Sequence, residues 1–109
     1  MSETLKRLRE ANHERANEAF FPVTTWSPMQ WGCAVAGEAG ELCNLLKKYE
    51  RNRVPGDSQN VGPIAEEVAD VVIYLDLLCQ LLGIDMEQAI ADKFDKTSAK
   101  IGSSVKFRV

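Results

Sequence analysis

Four acidic side chains recur in a pattern that can do chemistry. Glu38 and Glu41 form an E-x-x-E pair within GEAGEL, and Glu67 and Asp70 form an E-x-x-D pair within EEVADVVIY. At roughly 100° per residue, Trp31, Val35, Leu42, Leu45 and Tyr49 fall within about 60° of Glu38, and Glu41 lies about 60° to one side. Glu38 therefore stands inside the apolar stripe of its helix. On the next apolar helix Ile64, Val71, Leu75, Leu78 and Leu82 make a similar stripe, with Glu67 at its edge and Asp70 about 60° further round. If the two stripes pack antiparallel, four carboxylates converge where repulsion and desolvation are costly without a counter-charge.

A divalent cation supplies that counter-charge. The cluster holds oxygen donors and neither histidine nor cysteine, which suits Mg²⁺ or Mn²⁺ rather than zinc. Such an ion can bridge phosphate oxygens and lower the pKa of a bound water for attack on phosphorus. Di-iron bundles compete for this reading but need Glu-x-x-His pairs, and the single histidine, His13, is not so spaced. The plainer alternative makes these acids solvated helix-surface groups, or partners of Lys47 and Lys48.

The elements that must position the acids can be read from caps and periodicity. A first helix, about Glu3 to Phe20, has a weak apolar stripe of Leu5, Leu8, Ala11 or Asn12, Ala16 and Ala19. FPVTTW breaks the pattern. Ser27-Pro28 then opens a second helix running to about Arg53, where the turn cluster VPGDSQNVG ends it. Pro63 opens a third helix, and Gly83 closes it. Asp85, with Gln88 three residues on, predicts a capping box for a fourth helix ending near Lys100, with a stripe of Met86, Ile90, Phe94, Thr97 and Ile101. The tail alternates Val105, Phe107 and Val109, as a short extended arm or a frayed end. The expected fold is all-α, an antiparallel bundle of about four helices joined by short loops.

With 109 residues the chain is expected to be a single domain spanning 1–109. A body of this size withdraws only roughly 60–68% of its unfolded surface from water, so spare apolar faces favour self-association. VVIYLDLLCQLL is apolar on nearly every side except Asp76 and Gln80, which predicts a subunit interface and a homo-oligomer. A net charge of −3 and a pI near 5.1 argue against a nucleic-acid polymer as partner. Cys33, Cys43 and Cys79 lack metal-ligand spacing and sit in helical apolar patterns, as reduced packing residues of a cytoplasmic protein. No stretch has the roughly 18 apolar residues of a membrane span, and the N-terminus has no apolar signal core.

GEAGEL (37–42), EEVADVVIY (66–74) and LLGIDMEQAIADKFDK (81–96) together resemble the MazG-like nucleotide pyrophosphohydrolases over about residues 28–101. The family's E-x-x-E and E-x-x-D fall on Glu38, Glu41, Glu67 and Asp70. The resemblance implies Mg²⁺-dependent hydrolysis of a nucleoside triphosphate, with deoxyribonucleotides the expected class, to monophosphate and pyrophosphate. It also implies an all-α homodimer or homotetramer active in nucleotide-pool control or housecleaning. The four acids would hold Mg²⁺, with Mn²⁺ as a substitute, and Glu38 or Glu41 would help orient the attacking water.

Around that centre, Lys93 at a stripe edge suits phosphate binding, and Tyr74, one turn after Asp70, stands where family members often have a tyrosine near substrate. Related sequences often carry Lys-x-x-x-Asn followed by a basic residue and a tyrosine. Here the helix has Lys93, Thr97, Lys100 and Ile101; Thr97 can donate a hydrogen bond and Ile101 cannot. Trp26 and Trp31 offer stacking faces for a base, and His13 a polar edge contact. Two non-hydrolytic alternatives keep the same fold: a helical protein-interaction module and a nucleotide sensor. The first is disfavoured because a chain freed from metal binding gains stability by replacing seam carboxylates with apolar residues.

Overall fold

The computed structural model describes residues 3–53 and 60–107. Among these the chain is all-α: four helices and one 3-10 turn, with no strand. They are α1 (Thr4–Ala19), the turn Val23–Thr25, α2 (Pro28–Arg51), α3 (Gly62–Leu82) and α4 (Met86–Ile101). Most of the expected turn cluster after α2, and Val109 of the tail, lie outside the described residues.

Local chemistry explains the helix ends. Ser27 Oγ accepts from the Gln30 amide at 3.2 Å and Gln30 Oε1 accepts from the Ser27 amide at 2.9 Å, a complete capping box ahead of Pro28. The box expected at α4 is only half formed. Asp85 Oδ1 accepts from the Gln88 amide at 3.1 Å, but Gln88 Nε2 donates instead to Asp92 Oδ1 at 2.8 Å. Gly83 (φ 68°) and Gly102 (φ 78°) take the left-handed conformation that closes α3 and α4, with Ile84 N–H donating to Cys79 C=O and Ser103 N–H to Ser98 C=O.

The residues group into two compact units. In Trp26–Leu75, α2 pairs with the first part of α3. Trp31 meets Tyr74 with ring centroids 6.1 Å apart, and Glu38 meets Glu67. Each step forward along α2 is thus a step back along α3, and the two run antiparallel. The α2 stripe is inward as expected, with Val35, Leu42, Leu45 and Tyr49 half-buried and Trp31 fully enclosed.

The other unit joins Met1–Thr25 to Asp76–Val109. Here α1 is more integral than its weak stripe suggested, because it buries Asn12 and Ala16. Asp76, 1% exposed, accepts from Arg9 Nε at 3.0 Å on one oxygen and from Asn12 Nδ2 at 3.0 Å on the other. Arg9 also donates to the Ile84 carbonyl at 2.9 Å, so one guanidinium ties α1 to the end of α3 and the turn beyond it.

The α4 stripe expected from spacing is not the packed face. Ala91 and Ser98 are buried, whereas Ile90, Phe94, Thr97 and Ile101 are exposed. α1 and α4 are in contact, and small side chains at Ala16, Ala91 and Ser98 suit a close approach of the two backbones; the large apolar residues then turn outward. The tail forms no strand over 103–107. Phe107 N–H donates to Asp95 Oδ1 at 2.8 Å, and its ring lies 5.8 Å from that of Phe94.

The cysteines are all free thiols, but Cys33 and Cys43 are exposed rather than packed, since both fall on the outward side of α2. Cys79 does pack, and burial pushes its thiol up, Arg9 opposing and Asp76 adding to the shift. No helix among the described residues is long and apolar enough to cross a membrane.

Candidate metal centre

The acids of the Trp26–Leu75 unit come together because a helix repeats its face every seven residues to within about 20°. Trp31 and Glu38 therefore share a face of α2, and Glu67 and Tyr74 a face of α3. Docking the aromatic ends of those faces brings the acidic ends together. One oxygen from each of Glu38, Glu67 and Asp70 lies within 4.8 Å of the other two, and all three residues are half-buried.

The electrostatics of this arrangement are adverse as it stands. The Glu67 carboxyl is pushed up to about 7, first by desolvation, then by the charge of Glu41, by a hydrogen bond and charge from Glu38, and by the charge of Asp70. Glu38 Oε2 and Glu67 Oε2 are buried with no hydrogen-bond partner among the described residues. Buried acceptors with nothing to accept from are costly, and a cation at the point of convergence would satisfy both. The donor set is oxygen alone, which fits a hard divalent ion such as Mg²⁺. Bound there, the ion would neutralise phosphate oxygens and acidify a water.

Of the acids expected from the sequence, Glu38, Glu67 and Asp70 converge, and Glu41 is exposed at the margin, close enough to act on Glu67 through its charge. Tyr74 and Trp26 are half-buried; Trp31 is enclosed, with its ring 4.7 Å from Trp26 and 6.1 Å from Tyr74, so its faces are met by protein. Lys93, Thr97 and His13 belong to the other unit and are exposed; His13 Nε2 lies 3.3 Å from Asn17 Nδ2. The sequence reading did not find the pairing of Asp76 with Arg9 and Asn12. Its only sequence signal is an Arg and an Asn three apart on α1, which is too common to stand out.

The described residues form an all-helical protein with a carboxylate cluster whose oxygen donors suit a hard cation. The model of the MazG nucleotide pyrophosphohydrolase domain matches residues 28–102, most of the chain, and the protein belongs to that family. Comparison with curated proteins and with solved structures gave no significant match.

Proposed function

We propose that the protein is a Mg²⁺-dependent nucleoside triphosphate pyrophosphohydrolase that cleaves between the α- and β-phosphates, releasing monophosphate and pyrophosphate. The observation that carries this reading is the pair of partnerless carboxylate oxygens of Glu38 and Glu67 beside Asp70. Those three residues would hold the ion, which supplies charge neutralisation on the triphosphate and an acidified water.

The chain's own groups do the rest. Glu41, exposed and outside the convergent set, orients the water and accepts its proton as the water oxygen attacks the α-phosphorus. The α,β-bridging oxygen leaves with pyrophosphate. Glu38, Glu67 and Asp70 would serve as ligands and take no part in the proton transfer. Trp26 and Tyr74, of the same unit as the acids, are proposed to face the nucleoside. Trp31 serves packing in this scheme, because it is enclosed.

The assembled enzyme is proposed to be a homodimer or homotetramer. Val68, Val72 and Leu82 on α3 and Ile90, Phe94 and Ile101 on α4 are exposed apolar residues that a second copy would cover.

The test is pyrophosphate release from a panel of ribo- and deoxyribonucleoside triphosphates with Mg²⁺, beside Glu38→Gln. Release that requires both the metal and Glu38 is expected. No release from any substrate by folded, oligomeric protein would overturn the hydrolase and leave a non-catalytic binding module.

A further inference from the structure

In Trp26–Leu75, Trp31 is the one described residue that is fully buried; the rest of the α2 and α3 stripes are half-buried. Trp31 is also the largest side chain of its stripe. It contacts Tyr74 on the opposite helix, at 6.1 Å between centroids and 52° between planes, and Trp26 closes over it at 4.7 Å. The antiparallel register puts this contact two helical turns from the point where Glu38 meets Glu67, about 10.5 Å along the axes and on the same faces. At the acidic end Glu38, Glu67 and Asp70 are only half-buried, and no fully buried side chain among the described residues holds the helices there. The aromatic contact is therefore the rigid point about which the gap between α2 and α3 is set.

We propose that Trp31 and Tyr74 form a spacer that sets the width of the carboxylate site and so its choice among divalent ions. This rests on the metal reading given above. Mg²⁺ requires near-ideal octahedral geometry at about 2.0–2.1 Å, whereas Ca²⁺ accepts irregular shells at about 2.3–2.6 Å. A change of a few tenths of an ångström in helix separation spans that difference. Close-packed interiors transmit such changes, since a trimmed ring leaves space that neighbouring elements partly fill. A loosened seam penalises the ion with the stricter geometry more. Trp31 and Tyr74 are thus positioning residues, acting on the ion through Glu38, Glu67 and Asp70.

Calorimetric titration of the full chain in its native assembly with Mg²⁺, and separately with Ca²⁺, without nucleotide, tests the spacer. Trp31→Phe and Tyr74→Leu are expected to weaken Mg²⁺ binding about tenfold and Ca²⁺ binding about twofold or less, lowering the Mg²⁺/Ca²⁺ preference about fivefold or more. Tyr74→Phe keeps the ring and is expected to keep the wild-type ratio. So is Leu46→Ala, an exposed site on α2. Circular dichroism identifies the folded variants; should Trp31→Phe not fold, Tyr74→Leu against Tyr74→Phe decides alone. A wild-type ratio in folded Tyr74→Leu overturns the spacer while leaving the metal site intact. No binding of either ion by the wild-type chain overturns the metal reading itself, and the spacer with it.

Discussion

α3 carries two withdrawn carboxylate sites with opposite solutions. At Asp76 the chain supplies its own partners: Arg9 and Asn12 each hold one oxygen at 3.0 Å, with the carboxylate buried and Arg9 partly exposed. At Glu67 one oxygen has no hydrogen-bond partner among the described residues, and the proton affinity is raised instead. A carboxylate that has its counter-charge serves the fold. One gathered with two other acids and left without it is, on the proposed reading, where the chain takes up a cation. The local sequence marks only part of the difference: Glu67 belongs to an E-x-x-D pair with Asp70, and Asp76 is a single acid further along the same apolar helix.

The contrast breaks most visibly at the acids. Glu67→Gln is expected to lower pyrophosphate release about 10²–10³-fold, the scale of losing one charge-stabilising group, while leaving the metal-free chain as stable as wild type or more so. Steady-state rates beside denaturant titrations in EDTA check both halves. Equal loss of stability and activity would put Glu67 in the same class as Asp76.

Arg9→Ala should do the reverse. It strands a buried carboxylate with only Asn12, and a cost of about 3 kcal/mol is expected from urea unfolding, with no change in Mg²⁺ affinity per folded molecule. Asp76→Asn removes the charge and keeps the shape, so it should cost less, about 1–2 kcal/mol, because Arg9 is partly exposed and can rehydrate. If Arg9→Ala is harmless, the comparison fails at its structural end.

The pH dependence sharpens the functional end. Glu67 goes from about 4.5 when unfolded to about 7 in the fold, so the folded chain binds the proton more tightly. Its contribution to stability is fully present below pH 4.5 and is lost as pH rises through 7. The metal-free protein is expected to lose melting temperature across that window, and Glu67→Gln to flatten this part of the profile. Mg²⁺ binds the ionised form, so the stabilisation it gives should grow over the same range, by several degrees at saturating ion. A Mg²⁺ shift equal at pH 5 and pH 8 would count against Glu67 as a ligand.

Much of the site was legible because it is local. The i, i+3 acid pairs, the inward position of Glu38 and the cap at Ser27 follow from helical period and side-chain chemistry alone, and α2 and α3 obey them. α4 did not follow its pattern. Its large residues predicted a packed face at Ile90, Phe94 and Ile101, but the face that packs is the one with Ala91 and Ser98. Periodicity identifies an apolar stripe and says nothing about which neighbour needs a small surface. Cys33 and Cys43 looked like core residues for the same reason and are exposed.

By itself, then, the amino-acid sequence determined an all-helical chain, the helix ends, and four acids grouped in two pairs on two helices, because each is set by contacts within a few residues. Tertiary structure alone decided that Glu38, Glu67 and Asp70 converge, that Asp76 has Arg9 and Asn12, and that Trp31 is the enclosed contact beside Tyr74. Whether a carboxylate is neutralised by its own chain depends on groups far away in sequence, and only the packing of helices brings those groups within bonding distance.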